Sequence, residues 1–114
     1  MNVQLEIEND DTKEIINIDN VDDLKHFDYV DSYGANNELT LLDKGIDIKR
    51  IADTHSTHLL LKENENSFVE INSLEGTLKI EAKVLAFDTN HDIITLVYKV
   101  NDRNNSITIR KYGS

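Results

Sequence analysis

Residues 68–112 read FVEINSLEGTLKIEAKVLAFDTNHDIITLVYKVNDRNNSITIRKY, and this stretch decides the fold. Apolar residues alternate with polar ones along three parts of it, residues 78–82, 94–100 and 107–109. Successive side chains of a β-strand point to opposite faces, so a period of two predicts one face in a core and one in water. The stretch therefore predicts a series of half-buried strands, and it does not indicate any catalytic activity.

Similar short segments, separated by turn residues, continue this pattern through the rest of the chain. Residues 20–33 are the least clear stretch: Asn20 could cap a short helix, or the segment could be a twisted strand ending at Tyr29 and Val30, which we favour. Gly45 is expected to supply a positive φ in the turn of a hairpin. The pattern predicts strands at residues 3–7, 14–18, 38–42, 46–51, 57–61, 68–71, 77–87, 93–100 and 106–112.

Strands that follow one another in hairpins predict an all-β fold, a single antiparallel up-and-down barrel of about 8 to 10 strands. Closure of the sheet is favourable because it removes exposed strand edges. The chain has 114 residues and no linker-like segment, so we expect one domain over residues 1–114.

Residues 93–100 are apolar on both faces for part of their length. Such a strand is covered on both sides, or it faces a lumen on one side and a partner on the other.

Composition and charge exclude several classes of function. The chain has no Cys, so it has no disulfide framework, thiolate nucleophile or Cys-based zinc site. The net charge is −10, and residues 1–40 hold 11 acidic and 2 basic side chains. An acidic chain repels the phosphates of nucleic acids and anionic membranes, so neither is expected as a partner. With no cysteine, no export signal and no apolar run of membrane-spanning length, the expected location is the cytoplasm.

The sequence predicts no metal site, no cofactor and no catalytic activity. His55 and His58 are three residues apart, which places them on opposite faces of a strand, and Asp53 with His55 offers only two ligands. The acidic segment that begins at Asp19 lacks the Gly and Glu positions of a helix-loop-helix calcium loop. No nucleophile elbow, phosphate-binding Gly-rich loop or zinc-protease motif occurs, so we expect a protein that is not an enzyme.

Two inward-facing polar residues are the candidate ligand-binding residues, Arg50 and Tyr98. Arg50 shares a strand face with Ile46 and Ile48, and a guanidinium keeps its charge inside a fold. It either lies at the barrel rim or pairs with an internal carboxylate, or it anchors an anionic ligand. Tyr98 lies on the face of Leu96, and its hydroxyl is expected to find a partner in the core or to serve as a donor in a pocket.

Three segments of the chain resemble a family of small bacterial proteins of unknown function, the YwiB-like proteins. Residues 46–50 resemble the family's strand that ends in Arg, residues 76–81 its alternating strand, and residues 96–100 its late Leu-x-Tyr strand. Ile51 and Ala52 stand where the family usually has a Gly, and residues 1–37 fit only loosely. The resemblance implies a closed barrel similar in outline to the calycins, such as lipocalins, and it implies no known activity.

Two functions from different classes follow from these observations. The first is a cytoplasmic barrel that binds a small, partly apolar, acidic ligand in its lumen, with Arg50 orienting the acidic group and Tyr98 as a donor. The alternative is a structural or interaction protein with a solid core. It would act through its acidic surface or by self-association, with a homodimer or another protein as its partner.

Overall fold

The computed structural model describes residues 1–112, which form ten β-strands and no helix. Each strand pairs antiparallel with its neighbours in one sheet of order β2-β1-β10-β9-β8-β7-β6-β5-β4-β3. The predicted all-β, up-and-down barrel is therefore confirmed, and no helix in this part of the chain could span a membrane. The strands are β1 (Asn2–Asn9), β2 (Thr12–Ile18), β3 (His26–Val30), β4 (Asn36–Leu42), β5 (Gly45–Ile51), β6 (His55–Lys62), β7 (Ser67–Ser73), β8 (Gly76–Thr89), β9 (Ile93–Val100) and β10 (Arg103–Tyr112).

The barrel is nearly closed. No backbone ladder pairs its two end strands, β2 and β3, within residues 1–112, and a side chain of β2 instead contacts the turn that follows β3. The carboxylate of Glu14 accepts a hydrogen bond from the backbone N–H of Ser32 at 2.8 Å and a second one from the Ser32 hydroxyl. We call this junction between β2 and β3 the seam. Residues 19–25 connect the two end strands, and Val21 of this connection is buried in the core.

The core occupies most of the lumen, because the antiparallel register sends alternate side chains of every strand inward. Full burial of one aliphatic side chain contributes roughly 1.5–3 kcal/mol relative to exposure, so this interior is the main source of stability. The largest side chains with almost no exposed surface are Leu5, Leu39, Ile46, Leu61, Leu96, Ile107 and Ile109.

The hairpin of β7 and β8 extends beyond this core. Leu78 lies on the inner face, opposite Ile71, yet it is 56% exposed, and Leu74 at the hairpin tip is fully exposed. Val69 and Ile80 on the same inner face are only half-buried. The predicted alternation is therefore confirmed, but the expectation that residue 78 packs in the core is wrong.

A β-bulge in β8 changes the alternation of that strand. The register with β9 shifts between Val84 and Ala86, so the residue between them, Leu85, has no cross-strand partner and is 47% exposed. Phe87 then packs against the core from the inner face. The bulge therefore lets Val84 and Phe87, three positions apart, both pack against the core.

The unclear stretch of residues 20–33 contains β3, which confirms the favoured strand ending at Tyr29 and Val30. The expected role of Gly45 is wrong. Lys44 takes the positive φ, 58°, while Gly45 lies so close to the backbone carbonyl of Leu61 that a Cβ would overlap it. Gly45 is therefore needed because it has no side chain, and not because its backbone is left-handed.

The strand that was expected to be apolar on both faces, β9, is fully buried on one face only. Ile94, Leu96 and Tyr98 are buried in the lumen, whereas Ile93 and Val97 on the outer face are half-buried. The lumen side of that prediction is confirmed, and a partner on the outer side stays a prediction.

Candidate functional site

A cavity of about 330 Å³ lies at one end of the barrel beside the seam and is partly open to solvent, and we call it the lumen cavity. Its apolar wall is continuous with the core. Both candidate ligand-binding residues line it, so the structure brings Arg50 and Tyr98 together in one cavity. The other polar side chains that line it are Asn9, Glu14, Tyr29, Asp31, Tyr33 and Asn37, and the apolar ones are Ile7, Ile48, Leu59 and Ile107.

Arg50 faces the lumen from β5 and is held by two side chains. Its Nε donates to Oδ2 of Asp31 at 2.7 Å, and its Nη1 donates to Nε2 of His55 at 3.2 Å. Because a guanidinium only donates, His55 Nε2 must be the acceptor, which leaves the proton on Nδ1, 3.2 Å from the Thr54 hydroxyl. Of the roles that the sequence left open for Arg50, pairing with an internal carboxylate is observed.

Asp31 is the buried anion at the centre of the site, since only 6% of its side chain is exposed. Its Oδ1 accepts hydrogen bonds from the backbone N–H groups of Tyr33 and Ala35 at 3.0 and 3.1 Å. Its Oδ2 accepts from Arg50 and from Nδ2 of Asn37, the latter at 3.0 Å. Burial by itself raises the pKa of Asp31, but these hydrogen bonds outweigh it and lower the pKa to about 2.

Asn37 completes this arrangement from β4, where it lies directly opposite Arg50 in the sheet. It is 5% exposed, and its amide N–H groups reach both Asp31 and the backbone carbonyl of Ala35. The pair of Arg50 and Asp31 is therefore set in a fixed polar frame, and its two charges offset each other.

Tyr98 and Tyr29 both line the lumen cavity. Both residues are buried, with 5% and 7% of their surface exposed. Within residues 1–112, every fully buried side-chain nitrogen or oxygen has a hydrogen-bond partner, whereas neither tyrosine hydroxyl bonds to another protein group. The two hydroxyls must therefore be reachable through open space. Burial raises the pKa of Tyr98 to about 12, so its hydroxyl stays protonated and can donate at neutral pH.

Sequence reasoning missed most of this frame. Glu14 shares one face of the second strand with Ile16 and Ile18, and this spacing indicated an inward-facing carboxylate. Asp31 precedes Gly34 by three residues, a spacing typical of a side chain that binds the backbone of its own turn. Asn37 carried no such signal, because its role depends on the register between β4 and β5.

The histidines of β6 lie on opposite faces, as the sequence predicted. His55 contacts Arg50, while His58 on the outer face lies 3.0 Å from Asp47. Metal-ligating side chains do lie close together elsewhere, on the outer face of β3 and β4.

The fold has a counterpart among solved structures. The ywiB protein from Bacillus subtilis matches with a TM-score of 0.57 and 14% sequence identity, over 98% of this chain and 89% of that protein. No family model and no curated protein matches the chain. The calycin label stays a prediction. The resemblance predicted from residues 46–50, 76–81 and 96–100 is confirmed at the level of the fold: the chain is a nearly closed ten-stranded barrel with the fold of the ywiB protein.

Proposed function

We propose that the protein binds a small, partly apolar, acidic ligand in the lumen cavity. The observation that carries this proposal is Tyr98, a buried residue that lines the cavity and whose hydroxyl has no hydrogen-bond partner among residues 1–112. Binding sites combine an apolar wall with a few convergent polar groups, and this cavity has both. Its volume of about 330 Å³ restricts the occupant to a small molecule.

The acidic group of the ligand would accept hydrogen bonds from Tyr98 and from Nη2 of Arg50. Nε and Nη1 of Arg50 are used by Asp31 and His55, whereas Nη2 has no partner within the described residues 1–112. Because Asp31 offsets the charge of Arg50 and Glu14 adds a second carboxylate, affinity for an anion is expected to be modest.

Ligand-observed NMR tests this proposal with a set of small aliphatic and aromatic carboxylates, each paired with its primary amide. We expect carboxylates to bind better than their amides, and Tyr98→Phe to weaken binding about tenfold, the usual loss for a hydrogen bond to a charged group. Tyr112→Phe, on an exposed tyrosine at the end of β10, is the matched control and should leave binding unchanged.

Asp31→Asn tests the sign of the charge effect. Removal of this carboxylate leaves Arg50 unbalanced, so affinity for carboxylates should rise while affinity for the amides stays the same. If no carboxylate binds, or if both Tyr98→Phe and Arg50→Lys bind as the unaltered chain does, the lumen cavity is not the site.

We do not propose catalysis at this cavity. Asp31 has a pKa of about 2 and four hydrogen-bond donors on its two oxygens, so it is a weak base at neutral pH.

The second candidate is self-association, and the exposed inner face of the β7–β8 hairpin favours it. Leu74 and Leu78 expose large apolar side chains there, next to the half-buried Ile71. Sedimentation at several concentrations, with Leu78→Ser compared with Leu85→Ser on the bulge of the same strand, is the test. A dimer that only Leu78→Ser weakens would support this function, and a monomer at all concentrations would exclude it.

A further inference from the structure

The outer face of β3 and β4 holds three side chains of the kinds that bind transition metals. His26, Asp28 and Glu38 each offer a ligand atom, and these atoms all lie within 4.8 Å of one another. The register explains why they meet: residues 26 and 28 share one face of β3, and Glu38 of β4 is the direct cross-strand partner of Asp28. They lie on the opposite side of the sheet from the lumen cavity.

We propose that His26, Asp28 and Glu38 bind a divalent transition metal ion, with Zn²⁺ as the best fit. One imidazole and two carboxylates supply three protein ligands and leave a fourth position open to water or to another ligand. An imidazole nitrogen favours Zn²⁺, Co²⁺ or Ni²⁺ over Mg²⁺ and Ca²⁺, which prefer oxygen ligands alone.

The environment of His26 distinguishes this group from an ordinary acidic surface patch. Its Nδ1 lies 2.9 Å from Oγ1 of Thr40, the residue directly opposite it on β4. In the tautomer with the proton on Nδ1, this hydrogen bond orients the ring and leaves the lone pair of Nε2 for a metal, as outer hydrogen bonds do for metal-binding histidines in general.

The two carboxylates also lack the cations that accompany Glu6. Glu6 forms ion pairs with Lys13 and Arg110, whereas Asp28 and Glu38 have no ion pair within 4.0 Å among residues 1–112. Like charges directly opposite each other on neighbouring strands are destabilising, and a bound dication would remove that repulsion.

Lys49 opposes this binding without excluding it. It is the direct cross-strand partner of Glu38 on β5, so it brings a positive charge to the same face of the sheet. With His26 neutral, the two carboxylates and Lys49 together carry a charge of −1, which still attracts a dication. No local sequence pattern predicted this site, because residues 28 and 38 meet only through the strand register.

Titration of the metal-free protein with ZnCl₂ in a calorimeter, and with CoCl₂ followed by visible absorption, tests the proposal. We expect one saturable site and the spectrum of low-coordinate Co²⁺. His26→Ala should weaken binding at least tenfold, and Glu38→Gln should weaken it by a similar factor. His91→Ala, on an exposed histidine of the β8–β9 turn, is the matched control.

The variants change exposed side chains, so circular dichroism without metal should show an unchanged fold. Two results would overturn the proposal: no saturable binding by the unaltered chain, or binding that His26→Ala leaves intact. MgCl₂ that binds as tightly as ZnCl₂ would likewise identify a nonspecific acidic surface. The proposal does not depend on the lumen cavity, so it stands or fails separately from the proposed function.

Discussion

Asp31 links the stability of the barrel to pH. Its pKa is about 3.8 without the fold and about 2 within it, so the folded state favours the ionised carboxylate. The resulting stabilisation, about 2 kcal/mol, is fully present above about pH 4 and is lost as the pH falls through about 2.

Asp31→Asn should therefore lower the free energy of unfolding by about 2 kcal/mol at pH 7 and by much less near pH 2. Urea unfolding at a series of pH values between about 2 and 7 measures this difference. Asp92→Asn, in the exposed turn before β9, is the control and should show no such convergence. A constant difference across the series would contradict the role given to Asp31.

At Tyr98, the contribution of side-chain packing to stability can be measured separately from that of the hydroxyl. Its ring is buried, but its hydroxyl has no protein partner within residues 1–112, so Tyr98→Phe should change the free energy of unfolding by less than about 0.5 kcal/mol. Tyr98→Ala removes the ring and should cost about 3–5 kcal/mol. Thermal and urea unfolding of both variants measure these effects, and a large loss in Tyr98→Phe would show that the hydroxyl stabilises the core.

The sequence predicted correctly that Arg50 and Tyr98 face inward, because each shares a strand face with an aliphatic residue two positions earlier, Ile48 or Leu96. This spacing is a local pattern that can be read from the sequence. It did not reveal that Asp31 and His55 hold the guanidinium. These contacts join a turn and two strands, so they depend on register and on the shape of the turn, which no local pattern encodes.

Among the elements, the β4–β5 hairpin depends on the absence of a side chain at Gly45. A Cβ there would overlap the backbone carbonyl of Leu61 on β6, and backbone atoms of a paired strand cannot move aside cheaply. Gly45→Ala should therefore destabilise the protein by about 1–3 kcal/mol, as overpacking of an interior does. Gly34→Ala removes a glycine with φ of 84° and open space around it, so its cost comes from backbone strain alone.

Urea unfolding of Gly45→Ala and Gly34→Ala would distinguish these two causes. Hydrogen exchange should show increased amide exchange in β5 and β6 for Gly45→Ala, and only near the β3–β4 turn for Gly34→Ala. If Gly45→Ala is as stable as the unaltered chain, the close approach to Leu61 is not a constraint.

Strand existence was predictable at this scale, while irregularities within strands were not. The period of two identified β8 and β9 correctly, and β8 proved longer than expected by including Asp88 and Thr89. The bulge at Leu85 and the exposure of Leu78 escaped prediction, because both depend on where neighbouring strands end and not on the residues themselves.

At the scale of the whole molecule, the hairpin succession was enough to predict the all-β barrel. In the sheet β1 lies between β2 and β10, as a closed up-and-down barrel requires. The pattern of turns did not show that the closure would be incomplete between β2 and β3, which form no backbone ladder within residues 1–112.

The pairing of β1 with β10 has a consequence for how the chain folds. Read from β3, the sheet runs in sequence order to β10 and then continues into β1 and β2, and Asn2 lies opposite Tyr112. A circular permutant opened within residues 19–25, with residues 112 and 2 joined by a short turn, would pair every strand only with its neighbours in sequence. Such a permutant should refold faster than the parent at similar stability, because closing one long loop is no longer required. Stopped-flow refolding of the two chains measures the difference.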